Sequence, residues 1–115
     1  MTTTKVIELD DGNFDHEVFQ SEQPVLVEFW DETCLPCETL TKTLDELANQ
    51  YEGRAKIAHM DVQTNLQTIC SMAVEQLPTV LVFQHGRVVD RFVGEEPRGV
   101  YCSAIDGTLT LNWVI

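Results

Sequence analysis

The chain has 115 residues, 43% apolar and 23% charged, a composition that excludes a disordered segment and fits one globular domain spanning 1–115. At this size roughly two-thirds of the unfolded surface is buried on folding, enough for a core without disulfide staples. Nineteen acidic residues against seven basic ones leave a net charge of −12, which argues against nucleic acid or an anionic membrane as partner, because their phosphates would repel it.

Residues 5–9 are short and partly apolar and read as an edge strand. Asp11, Gly12 and Asn13 form a turn, and Phe14, Val18 and Phe19 recur at helical spacing, so 13–20 reads as a short helix broken by Gln23-Pro24. Residues 25–30 are β-branched, aromatic and almost wholly apolar, the mark of a central strand buried on both faces. Over 34–51 the period changes, and Leu40, Leu44, Leu47, Ala48 and Tyr51 fall on one helix face. Thr33 is placed to cap that helix, Pro36 sits in the first turn where no backbone donor is needed, and Gly53 ends it. Residues 55–62 read as a strand, and 65–74 as a helix with Leu66, Ile69, Cys70 and Ala73 on one side, closed by Pro78. A strand at 79–84, a tight turn at His85-Gly86 and an antiparallel partner at 87–93 follow. This alternation predicts an α/β fold, with a sheet flanked by helices on both faces.

The tail reads differently. Pro97 and Gly99 allow a helix over about 97–105, and Asp106-Gly107 then breaks it. Leu109, Leu111, Trp113 and Ile115 alternate, which is a strand period with one apolar face. Such a face must pack on its own sheet edge or on a second chain, and the reading leans to a homodimer contact through the tail. No secretory signal or membrane-length apolar run is visible, so the chain is expected to be cytoplasmic, where thiols are usually kept reduced.

Cys34, Cys37, Cys70 and Cys102 admit several uses. A disulfide framework suits a smaller secreted domain better. Zinc needs a second closely spaced pair, whereas Cys70, Cys102, His16, His59 and His85 are scattered, so no metal is expected. The remaining reading is a redox-active Cys-x-x-Cys where the buried strand 25–30 gives way to the helix. Open α/β sheets place their sites at the carboxyl ends of strands. A thiol in the first helical turn meets unpaired N–H groups and the positive end of the helix dipole, which favour thiolate and make Cys34 the nucleophile. Cys37, one turn inward, is placed to resolve the mixed disulfide. Cys70 and Cys102 read as small buried hydrophobes.

The run Phe29-Trp30-Asp31-Glu32-Thr33-Cys34-Leu35-Pro36-Cys37 resembles the active-site segment of the thioredoxin family, with a Trp four residues before the first Cys. Leu77-Pro78-Thr79 resembles the family's cis-proline dipeptide and its following Thr. Gly86 and Val93-Gly94 fit the hairpin turn and the glycine that ends the last strand. The likeness runs without a gap from about Val25 to Gly94. It implies the thioredoxin fold and reversible thiol–disulfide exchange with protein disulfide substrates, with electrons supplied by a thioredoxin-reductase-type donor. No cofactor beyond the Cys34-Cys37 pair is implied. It places substrate contacts at Trp30, Leu35, Pro36, Leu77, Pro78 and Gly94, with the Leu77 backbone holding the substrate chain as an added β-pairing. Glu28 takes the place of the family's buried acid and is implied as proton acceptor for Cys37, through water. The bland alternative for Glu28 is an exposed strand residue.

Several positions depart from the pattern. Thr33 stands where a second Trp is usual, Leu35 where Gly is usual, Lys42 where many members have a kinking Pro, and His59 where a Lys usually lies near the acid. Lys42 predicts a straighter helix. His59 is expected either to pair with Glu28 or to face solvent. The first fifty residues carry −10 and the rest −2, so a site built from the first half lies in a negative field that favours basic partners. Asp31, Glu32, Glu38 and Glu28 should hold the Cys34 thiol nearer its ordinary acidity than the helix end alone would. A redox-silent assembly module on the same scaffold is the competing reading, favoured by Thr33, Leu35 and the tail.

Overall fold

The computed structural model describes residues 5–114, with side chains described through Leu109. Five strands form one mixed sheet: β1 (Ile7–Leu9), β2 (Val25–Trp30), β3 (Lys56–Asp61), β4 (Thr79–Gln84) and β5 (Arg87–Val93), in the order β1-β3-β2-β4-β5. β1 and β2 each run parallel to β3, while β4 runs antiparallel to both β2 and β5. The three helices are α1 (Leu35–Gln50), α2 (Leu66–Met72) and α3 (Arg98–Val114). The first predicted helix is a π-helical turn at Asp15–Phe19.

β2 lies in the centre of the sheet, as an apolar run of this kind requires. From Val25 to Phe29 every residue is buried. Its alternate side chains divide the core in two. Leu26 joins Ile57, Val80 and Val82 beneath Leu40, Leu44 and Leu47 of α1 and Tyr101 and Ile105 of α3. Val25, Val27 and Phe29 join Met60, Leu81 and Phe83 on the opposite face, with Phe14 and Val18 of the π-turn. Phe14, Phe19 and Phe83 pack edge to face with centroids 5.3–6.0 Å apart, an arrangement favoured by the ring quadrupole. Leu44 and Leu47 are 1% and 0% exposed. Truncating either to Ala costs about 2–5 kcal/mol.

The β4–β5 hairpin turns at His85 (φ 53°) and Gly86 (φ 76°). Gly86 also lies against the π-turn, where a Cβ would come within 3.1 Å of the Phe19 carbonyl oxygen. α1 runs unbroken through Lys42.

Two expectations are corrected. α3 continues through Asp106 and Gly107 to Val114, so the tail neither breaks there nor forms a strand. The inward residues Tyr101, Ile105 and Thr108 keep a helical period. The Tyr51 hydroxyl donates to Asp106 Oδ1 at 2.7 Å, and the Thr108 hydroxyl donates to the Ile105 carbonyl at 2.7 Å, tying both sides of the predicted break into the helix. Leu109 packs on the core from that same helix. The side chains of residues 110–114 and the whole of Ile115 lie outside the described residues. Without a terminal strand, the homodimer contact loses its basis. The second correction is α2, which turns Leu66 and Cys70 outward. The Asp11 carboxylate accepts from the Thr68 amide and hydroxyl, and Asn65 is buried, so the inward face carries Asn65 and Thr68 beside Ile69 and Met72. Asp11 titrates below the usual carboxylate range because of the Thr68 hydroxyl. No described helix is long and apolar enough to cross a membrane.

Gly107 is exposed in mid-helix with nothing near a built Cβ. Gly107→Ala should therefore gain about 1 kcal/mol and raise the melting temperature by a few degrees, measured by circular dichroism; destabilisation would mean that the helix ends at 106.

Candidate active site

The sheet register assembles one end of the molecule. Asp61 of β3 is the partner of Trp30 in β2, and Phe29 faces Thr79, so the residues just beyond, Trp30 and Pro78, meet at the same edge. Thr79 in turn faces Val93, and the Gly94 amide donates to the Pro78 carbonyl at 2.8 Å. Asp61, Trp30, Pro78 and Gly94 therefore form a row across the carboxyl ends of β3, β2 and β5 and the start of β4. Gly94 has φ 90° and open space around a built Cβ, so it is the backbone conformation, not crowding, that calls for glycine. The Leu77-Pro78 peptide is cis. Pro78 is buried and Leu77 half-buried.

From Trp30 the chain turns into α1. Asp31 Oδ1 accepts from the Thr33 amide at 2.9 Å and from its hydroxyl at 2.7 Å, a side-chain turn typical of Asp. The Asp31 carbonyl accepts from the Cys34 amide at 3.2 Å. Cys34 (φ −88°, ψ 102°) is the residue that caps α1, and no side chain completes the cap. Thr33, expected as the cap, spends its hydroxyl on Asp31 because that carboxylate brings the chain into the helix one residue later. Cys34 and Cys37 are joined by a disulfide, with Pro36 between them in the first turn and the Cys37 amide donating to the Cys34 carbonyl at 3.2 Å. Cys34 is 9% exposed and Cys37 3%, whereas Leu35 projects at 74%.

Glu28 lies two residues before Trp30, on the strand face covered by α1 and α3. It is 1% exposed and its Oε2 has no hydrogen-bond partner, so the exposed-strand alternative is excluded. Burial, with the charge of Glu95 added, pushes its carboxyl up to about 8, since an ionised carboxylate there would cost several kcal/mol. His59, the strand neighbour of Glu28, neither pairs with it nor faces open solvent. Its ring stacks on Trp30, with centroids 5.7 Å apart and planes at 18°. Burial lowers its affinity for a proton, against the opposing pull of Glu8 and Asp45. Tyr101, also on this face, accepts from the Glu96 amide at 3.0 Å, and burial pushes its phenol up.

Glu95 is the residue that sequence reasoning missed. Its only signal was its place directly after Gly94, and nothing local shows that its charge acts on Glu28. Of the remaining thiols, Cys102 is half-buried against Gln50 and the α1–α3 core, while Cys70 is exposed, contrary to the expected buried hydrophobe, because α2 presents Thr68 inward. Among the described residues, no group of three His, Cys, Asp or Glu side chains converges to hold a metal ion.

A Cys-x-x-Cys disulfide at a helix start, at the carboxyl end of a central strand and in line with a cis-proline, defines a dithiol–disulfide exchange protein. The thioredoxin family model matches residues 5–106. The chain is 37% identical to Thioredoxin C-2 of Corynebacterium nephridii over 101 residues, covering 88% of this chain and 94% of that protein. It is also 37% identical to Thioredoxin 2 of Chlorobaculum tepidum over 102 residues (89% and 94%) and 33% identical to a thioredoxin of Synechocystis over 99 residues (86% and 92%). The chain belongs to the thioredoxin family. It is a thiol–disulfide oxidoreductase of the protein-disulfide-reductase type, with the Cys34–Cys37 disulfide as its redox centre.

The Glu28 carboxyl makes stability depend on pH. From about 4.5 to about 8 the unfolded chain loses this proton while the folded chain keeps it. The folded state then binds more protons, so stability falls as pH rises through that window and levels off above it. Glu28→Gln should flatten this decline and stabilise the protein by a few kcal/mol at the alkaline end, read from denaturant midpoints across the window; parallel curves for variant and native chain would show that Glu28 is ionised in the fold.

Proposed function

We propose that Cys34 is the nucleophile and Cys37 the resolving thiol of a cycle that reduces protein disulfides. The observation that carries this reading is the position of Cys34 at the cap of α1, more exposed than Cys37, where the helix end favours the thiolate. In the reduced protein, Cys34 Sγ attacks one sulfur of a substrate disulfide. The substrate S–S bond breaks, a Cys34–substrate S–S bond forms, and the other substrate sulfur leaves and takes a proton. Cys37 then attacks Cys34 Sγ, the mixed disulfide breaks, the second substrate sulfur leaves as a thiol, and the Cys34–Cys37 bond closes. Two electrons have passed to the substrate. The ionised form of Glu28, the minor form below about pH 8, accepts the Cys37 proton. A carboxyl poised at about 8 is close to an ordinary thiol's ~8.5, which brings the transfer near thermoneutral.

Trp30, Leu35, Pro36, Leu77, Pro78 and Gly94 make the docking face in this reading. The Leu77 backbone offers pairing to an extended substrate segment. A thioredoxin-reductase-type donor reopens the Cys34–Cys37 bond, and the cytoplasm is the compartment in which such a donor would keep the dithiol reduced.

With dithiothreitol as electron source, the native chain should accelerate insulin reduction and Cys34→Ser should abolish the acceleration. Limiting iodoacetamide should alkylate Cys34 of the reduced protein first; prior labelling of Cys37, Cys70 or Cys102 would reverse the assignment. Glu28→Gln should prolong the mixed-disulfide intermediate by roughly a hundredfold, seen by acid quenching and mass spectrometry, and an unchanged lifetime would remove Glu28 from the proton transfer.

A further inference from the structure

Several cations of this chain are held by partners outside the Cys34–Cys37 turn. Lys5 pairs with Glu52 at 2.9 Å, Lys56 with Glu17 at 3.1 Å and Arg98 with Glu46 at 3.6 Å. Arg91 donates to the Met72 carbonyl at 2.9 Å. Lys42 lies four residues beyond Glu38 on α1, yet among the described ion pairs none joins the two.

The disulfide end carries carboxylates from separate elements instead. Glu32 stands in the loop before Cys34, Glu38 in the first turn of α1, Asp61 at the end of β3 beside Trp30, and Glu95 directly after Gly94. Glu32, Glu38 and Glu95 are exposed. Within this ring Leu35 is the most exposed of the large hydrophobic side chains, while Cys34 beside it is almost covered. A substrate chain that brings its sulfur to Cys34 must therefore lie over Leu35 and within reach of the carboxylates.

We propose, resting on the disulfide-reductase reading above, that the substrates of this chain are proteins whose reducible disulfide is flanked by cationic residues and by apolar surface that covers Leu35. Charge complementarity carries the first half. A basic flank is drawn into the ring, and an acidic one is rejected by like charge arriving from several directions. Burial of an exposed leucine carries the second, because apolar surface against Leu35 removes it from water while a polar flank gains nothing there. In the field of a chain at −12, the preference acts on encounter as well as on the docked state.

The test uses the full chain, reduced and freed of reductant, with synthetic peptides closed by one disulfide. One peptide has Lys residues flanking an apolar cystine segment, the second has Glu in their place, and the third keeps Lys but replaces the apolar residues by Gly. Single-turnover rates are read by acid quench and chromatography. Comparing ratios between peptides cancels any change in the intrinsic reactivity of Cys34. The Lys peptide should react ~10-fold faster than the Glu peptide at low salt. That ratio should fall towards one in about 0.5 M salt and in the double variant Glu32→Gln, Glu38→Gln. Leu35→Gly should abolish the preference of the native chain for the apolar over the Gly peptide. A Lys-to-Glu ratio near one in the native chain, or one indifferent to both salt and substitution, overturns the charge half. An apolar preference that survives Leu35→Gly overturns the other. If neither these peptides nor hydroxyethyl disulfide oxidises the reduced chain, the reductase reading itself fails, a result distinct from equal rates on all three.

Discussion

Burial of β2 on both faces is the constraint from which the rest of the architecture follows. A strand that is apolar from Val25 to Phe29, apart from Glu28, satisfies its backbone only with a neighbour on each side, here β3 and β4. The pairing is parallel to one and antiparallel to the other. It therefore brings the end of β2 to the end of β3 and the beginning of β4, and Trp30, Asp61 and Pro78 come together without any attraction between them. The β4–β5 hairpin extends the row to Gly94. The redox centre is thus placed by main-chain register, and its chemistry is added by the turn that leads from Trp30 into α1.

Glu28 is where this constraint conflicts with local chemistry. A carboxyl in the middle of the buried strand has one oxygen unpartnered and its neighbour His59 turned against Trp30. Apolar packing around it is strong enough to hold it there, and the site responds by retaining the proton. The like charge of Glu95 pushes in the same direction. The residue that destabilises the fold is the same one that the proposed cycle uses as its proton acceptor.

The strands β2, β4 and β5 were legible in the sequence to their end residues, because continuous β-branched runs bounded by Pro and Gly leave little choice. α1 was legible from its stripe, although its cap was not. Thr33 and Asp31 are equally plausible local partners for the turn, and only the path of the chain out of β2 selects Asp31. The tail was misread because Leu109, Leu111 and Trp113 alternate over too few residues to outweigh a helix already started. Tyr101, Ile105 and Thr108 carry that helix through Gly107 against α1 and β4. α2 was misoriented at Leu66, Cys70 and Ala73, which face outward while Ile69 packs on the core, and Asp11, far away in sequence, holds Thr68 inward.

By itself the sequence determined the order of elements as far as β5, the central strand, the Cys34/Cys37 pair at a strand-to-helix junction and a negative first half, all of which depend on local periodicity, spacing and charge. Only the tertiary structure decided that Glu28 is buried with one oxygen unpartnered, that His59 lies on Trp30, that the Glu95 charge acts on Glu28 and that Cys70 faces outward. Those facts are set by which surfaces meet when sheet and helices close on one another, and contacts between distant segments leave no mark in the local pattern of either one.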